Sequence, residues 1–85
     1  MSGVDEVLDD RGKNYGDFDG HARLTQSLKA AMKAHPNWEG LGFVHKEALE
    51  MIAHKIGRIV NGNPDYKDSW VDVAGYAQLV ARDIP

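Results

Sequence analysis

Glu47, Glu50, His54, Arg58 and Asn61 recur at intervals of three and four residues. At about 100° per residue in an α-helix, that spacing puts all five on one narrow stripe, with Lys55 just beside it. A second set, Asp68, Asp72, Gly75, Tyr76 and Leu79, shares one side of a later segment in the same way. Gly75 leaves room there for a backbone or a ligand to come close. If the two stripes face each other, four carboxylates converge: Glu47, Glu50, Asp68 and Asp72. Hard oxygen ligands at that density suit Mg²⁺ or Mn²⁺. Lys55 and Arg58 would supply positive charge for phosphates, Arg through paired hydrogen bonds and Lys as a point charge. A carboxylate-held ion beside a phosphate chain is the layout for phosphoanhydride hydrolysis, with Glu47 and Glu50 as the catalytic acids.

Each of these residues also has a structural reading. Glu-x-x-Glu is common on solvated helix faces. Ser69-x-x-Asp72 fits a capping box with Ser69 as the cap, and Asp68 could itself be the cap. Glu50 and His54 have the i,i+4 spacing of a helical pair. Glu47 could pair with a basic residue across a helix interface. His21, His35 and His45 show no zinc spacing and are expected to be exposed. Trp38 and Trp70 read as core or interface anchors in preference to base-stacking platforms. No HExxH, P-loop or GxSxG motif occurs.

The segment Arg11-Gly12-Lys13-Asn14-Tyr15-Gly16-Asp17-Phe18 sets two glycines around a basic and aromatic cluster and reads as a structured turn. As a binding element, Arg11, Lys13 and Tyr15 could close over a nucleotide. As a structural element, Tyr15 and Phe18 pack the turn onto the core and the charges are solvated. The structural reading is preferred.

The elements that must position these residues are helical. Residues 1–17 form an N-terminal arm and turn, with one short amphipathic turn from Asp5 to Asp10. Phe18, Leu24, Leu28, Ala31 and Met32 mark a helix over 18–35, capped by Asp17 or Asp19 and ended by Pro36. A second helix over 42–61 carries Ala48, Leu49, Met51, Ile52, Ile56, Ile59 and Val60 round more than half its circumference, which places it at the centre of the core. Asn61-Gly62-Asn63-Pro64 stops it, with Gly62 as a left-handed cap. A third helix over 67–82 presents Trp70, Val73, Ala74, Ala77, Val80 and Ala81, and folds back on the second. The expected fold is one all-α domain over 1–85, a small bundle of three main helices with a C-terminal antiparallel hairpin.

Composition narrows the partners. With 85 residues the core is thin, and self-association would help it. A net charge of -3 argues against general nucleic-acid coating and against a helix-turn-helix DNA binder, since neither candidate recognition helix has a basic face. The absence of cysteine excludes a disulfide scaffold and thiolate zinc sites. No apolar run approaches membrane-spanning length and no signal peptide is evident, so a cytoplasmic location is expected.

Three runs carry a resemblance. They are Arg11-Gly12-Lys13-x-Tyr15-Gly16-Asp17-Phe18, Glu47-Ala48-Leu49-Glu50-Met51-Ile52-Ala53-His54-Lys55-Ile56-x-Arg58-Ile59, and Asp68-Ser69-Trp70-Val71-Asp72-Val73-Ala74-Gly75-Tyr76-Ala77. Together they resemble small phage and prophage proteins of unknown function, over nearly all of the chain from Arg11 to Val80. More distantly the chain is similar to the MazG-type all-α nucleoside triphosphate pyrophosphohydrolases and to phage nucleotide-modification-associated domains. Those carry Glu-x-x-Glu on one helix and Glu-x-x-Asp on the next. Glu47 and Glu50 match the first half. The second half departs, with Ser69 three before Asp72 and Asp68 four before. The Lys55-x-x-Arg58 pair and the Asp72-x-x-Gly75-Tyr76 tail fit the nucleotide-modification likeness better.

The resemblance implies a nucleotide ligand with Mg²⁺. Glu47, Glu50 and Asp72 would hold the metal with Asp68 in support. Lys55, Arg58, Arg11, Lys13, Tyr15 and Tyr76 would hold the nucleotide. The reaction implied is hydrolysis of a triphosphate to the monophosphate and pyrophosphate in a bacterial host's cytoplasm. The rival expectation is a non-enzymatic accessory protein that binds a host or phage protein.

Overall fold

The computed structural model describes residues 3–85, and among them there are four α-helices, one 3-10 turn and no strand. The helices are α1 (Gly3–Tyr15), α2 (Phe18–Lys33), α3 (Phe43–Asn61) and α4 (Lys67–Ala81), with the 3-10 turn at Trp38–Gly40. The last three follow the apolar periodicity to within two residues at each end.

The first helix departs from expectation. It runs through both the supposed turn at Asp5–Asp10 and the basic-aromatic cluster. Gly12 inside that span costs about 1 kcal/mol of helix propensity and does not break it. Asp5 and Glu6 in the first turn and Lys13 in the last suit the helix dipole. The chain breaks only at Gly16, whose φ of 77° is left-handed and whose N–H donates to the Gly12 carbonyl at 3.0 Å. Asp17 then caps α2 as expected, its carboxylate accepting from the Gly20 N–H at 3.0 Å.

Gly62 corrects the stop signal. Its φ of -126° is not left-handed. Glycine is required there because the backbone of Asn14 and Tyr15 occupies the space a Cβ would need. The Asn63 N–H donates to the Asn14 carbonyl at 2.7 Å at the same crossing. At α4 the cap position falls on Tyr66, one turn before Ser69, so neither Ser69 nor Asp68 is the cap. Ser69 is buried in the α4 seam, and the Trp70 indole N–H donates to the Pro64 carbonyl at 2.7 Å.

The central position of α3 is as expected. It packs against α4 along one side and α2 along another, and α1 meets it more lightly. Because α2 and α4 meet through α3 and hardly touch each other, the three form one layer. A single layer buries little. The buried apolar residues are Trp38, Ala48, Ala53 and Ile59, while Leu49, Ile56 and Val60 of the expected core are exposed. Trp38 is buried in the core, while Trp70 is 55% exposed and so is not a core anchor. Among the described residues no helix is long and apolar enough to cross a membrane.

Candidate functional site

The two polar stripes come together only at one end of the hairpin, where Glu47 lies near Tyr76 and Leu79. On α3 the stripe looks toward α2 and the α1–α2 turn. Glu50 meets the Lys33 ammonium at 3.2 Å. The His54 ring stands edge-on to His21, with centroids 4.6 Å apart. The Arg58 guanidinium lies over the Tyr15 ring, 4.1 Å from its centre. The Asn61 amide donates to the Tyr15 and Asp17 carbonyls, each at 2.8 Å.

Helix α4 packs along the side of α3 that Lys55 faces. Its ammonium reaches Asp72 at 2.9 Å, and its side chain is only 11% exposed. Glu47 sits with Phe43, Val44, Tyr76 and Leu79 at the far end of the hairpin. Asp68 is exposed in the first turn of α4, and its charge raises the pKa of the Tyr66 phenol. The expected convergence of Glu47, Glu50, Asp68 and Asp72 is therefore replaced by separate engagements. Lysines of two different helices hold Glu50 and Asp72. Among the described residues no three His, Asp or Glu side chains are gathered to hold a metal. As arranged here, the four acids do not form a donor set for Mg²⁺.

What does converge is a groove of about 430 Å³ between α1, α2 and α3. Leu8, Arg11 and Tyr15 come from α1, Phe18 and His21 from α2, and His54 and Arg58 from α3. Of the residues expected to hold a nucleotide, Arg11, Tyr15 and Arg58 meet here. Lys55 and Tyr76 belong to the α3–α4 hairpin, and Lys13 is exposed on α1 outside the groove lining.

His21 was expected to be exposed and is instead 6% exposed, above an equally enclosed Thr25. The His21 Nδ1 and Thr25 Oγ1 are buried with no hydrogen-bond partner. The signal was in the sequence. Phe18, His21, Thr25, Leu28 and Met32 are spaced three, four, three, four, which is a helical seam. A reading confined to apolar residues skips its two polar members. Gly57 on α3 lies opposite them, and a Cβ there would run into the Thr25 hydroxyl. The missing side chain is what lets α2 approach so closely.

Burial, followed by the Arg58 charge, pushes the His54 imidazole down to about 4. Burial and then Arg58 lower His21 as well. Both rings are therefore neutral at pH 7, and the charged groups lining the groove are Arg11, Arg58 and Asp17, whose carboxylate is taken up in capping α2. Two guanidiniums offer donors to anionic oxygen. Tyr15 and Phe18 offer ring faces, and the neutral imidazoles offer both donor and acceptor atoms.

The family model described as "Domain of unknown function (DUF6378)" matches residues 3–83 of the chain. Among curated proteins, and among solved structures, none matches.

Proposed function

We propose a nucleotide-binding role for this chain, which belongs to the DUF6378 family of domains of unknown function. The groove between α1, α2 and α3 is the binding site in this reading. The observation that carries it is the meeting of Arg11, Arg58 and Tyr15 in one groove of about 430 Å³. That volume suits a ligand the size of a nucleotide. Arg11 and Arg58 take the phosphates, while Tyr15 and Phe18 lie against the base. Neutral His54 gains a proton most readily when an anion sits beside it, so phosphate binding couples to proton uptake below neutral pH.

The reading does not route chemistry through a metal. Glu50 and Asp72 are already engaged by Lys33 and Lys55, so the site supports binding better than hydrolysis. A phage-encoded protein that senses or sequesters nucleotides fits this chemistry, as does the distant MazG-type likeness without its second carboxylate pair.

The test is thermal unfolding of the whole chain with each ribo- and deoxyribonucleoside mono- and triphosphate, with and without Mg²⁺. At least one nucleotide is expected to raise Tm. Arg58→Ala is expected to weaken that ligand by about 10- to 100-fold, the value of one charge-assisted hydrogen bond. Phosphorus NMR of the same mixtures reads hydrolysis directly, and product formation abolished by Glu50→Gln would restore the metal-dependent reading. No shift in Tm from any nucleotide at millimolar concentration would end the proposal.

A further inference from the structure

We propose that the face of the α2–α3–α4 layer opposite the Arg58 groove is the contact between two copies of this chain. On α3, Leu49, Ile56 and Val60 lie about 160–180° round from Arg58. They are 39%, 39% and 68% exposed, respectively. On α4, Trp70 is followed at i+4, i+7 and i+11 by Ala74, Ala77 and Ala81, all exposed. The two rows adjoin, because Leu49 and Ile52 of α3 line one groove with Ala77 and Ala81 of α4. None of these positions carries a formal charge.

The occupant follows from shape and area. The α3 row is bulky, and beyond Trp70 the neighbouring α4 row is small. A two-fold axis sets the bulky α3 row of each copy into the alanine row of the other, so the face is complementary to itself. The chain exposes 6067 Å². A compact monomer of 9.4 kDa exposes about 5,000 Å². Its radius of gyration of 14.7 Å likewise exceeds the ~12 Å of a compact chain this long. Part of the excess belongs to α1, which buries no residue. The whole excess, about 1,000 Å², is of the order that each partner of a standard interface loses, about 800 Å². A domain is ordinarily two packed layers around one core, and this protomer supplies one. The second copy supplies the other.

The interface is independent of the nucleotide groove, so either proposal can fail alone. The experiment is sedimentation velocity of the full chain over about 1–100 µM, with circular dichroism to confirm helicity. The wild type is expected at twice 9.4 kDa. Ile56→Glu should raise the dissociation constant more than about tenfold, because it places a charge in the contact. Ala77→Gln, at a position already exposed in the protomer, provides the same reading should Ile56→Glu fail to fold. Phe43→Ser, 89% exposed and outside both rows, should leave the mass unchanged. A monomeric wild type overturns the inference. So does an assembly dissociated by Phe43→Ser and left intact by Ile56→Glu and Ala77→Gln.

Discussion

Gly57 and Thr25 set the distance between α2 and α3. A Cβ at position 57 would meet the Thr25 hydroxyl and press on His21. Alanine would gain about 1 kcal/mol of helix propensity in the middle of α3. Overpacking a seam this tight costs about 1–3 kcal/mol, and the neighbours here are buried side chains. The expected net result for Gly57→Ala is a loss of about 1 kcal/mol, read as a fall in Tm of about 4–8 °C. Adding Thr25→Ala removes the obstructing hydroxyl, so the double variant should recover most of the loss. Equal instability of the single and double variants would show that the seam is not what Gly57 serves.

The histidine pair gives the molecule an acid-sensitive point. His54 has its ordinary pKa near 6.5 when unfolded and about 4 when folded. Between those values the unfolded chain binds the extra proton, so stability falls as pH is lowered through that window. His21 shifts in the same direction and adds to the effect. Burial and the positive charges of Arg58, Lys55 and Lys29 all favour the neutral ring. Denaturant midpoints measured from pH 7 to pH 4 should drop, and His54→Gln should flatten that limb. An unchanged slope in His54→Gln would assign the acid sensitivity to other groups.

At the scale of elements, Asn61 is the clasp. The last residue of α3 holds two carbonyls of the α1–α2 turn, while Gly16 and Gly20 leave space for its side chain. This is what brings Arg11 and Tyr15 of α1 over Arg58, since α1 has no buried residue of its own to dock it. Asn61→Asp removes both donors and sets a carboxylate against two carbonyl oxygens. The Tyr15 carbonyl is part-buried and the Asp17 carbonyl exposed, so the loss is at the low end of the penalty for an unmet acceptor, about 1 kcal/mol. The expected outcome is faster amide exchange in α1 and weaker nucleotide binding, with α3 and α4 retaining their protection. Uniform loss of protection across all four helices would mean that Asn61 supports the whole fold and not the groove alone.

For the whole molecule, the dimer we propose would make association part of stability. If two copies share a core, a tenfold rise in protein concentration should raise the wild-type Tm, and Ile56→Glu should remove that dependence. The apolar residues of α3 were read from the sequence as core because their number implied burial on several sides. Ala48 and Ile59 are buried within the chain, while Leu49, Ile56 and Val60 are not. Hydrophobic periodicity states that a face is to be covered. It does not say whether the same chain covers it.

The sequence by itself determined the helical class, the extents of α2, α3 and α4, a cap at Asp17 or Asp19 and the central place of α3. These depend on local periodicity, on proline and glycine, and on side chains within a turn of each other. The helix-wheel stripe of Glu50, His54, Arg58 and Asn61 was determined in the same way. Only the tertiary structure decided which neighbour that stripe faces. It meets α2 and the α1–α2 turn in place of α4, so Lys33 and Lys55 take two acids and Tyr15 takes Arg58. Helix period fixes the angle of a side chain about its own axis. The positions of the other axes depend on close approaches such as Gly57 against Thr25 and Gly62 against Tyr15, between residues 32 and 47 positions apart in the chain.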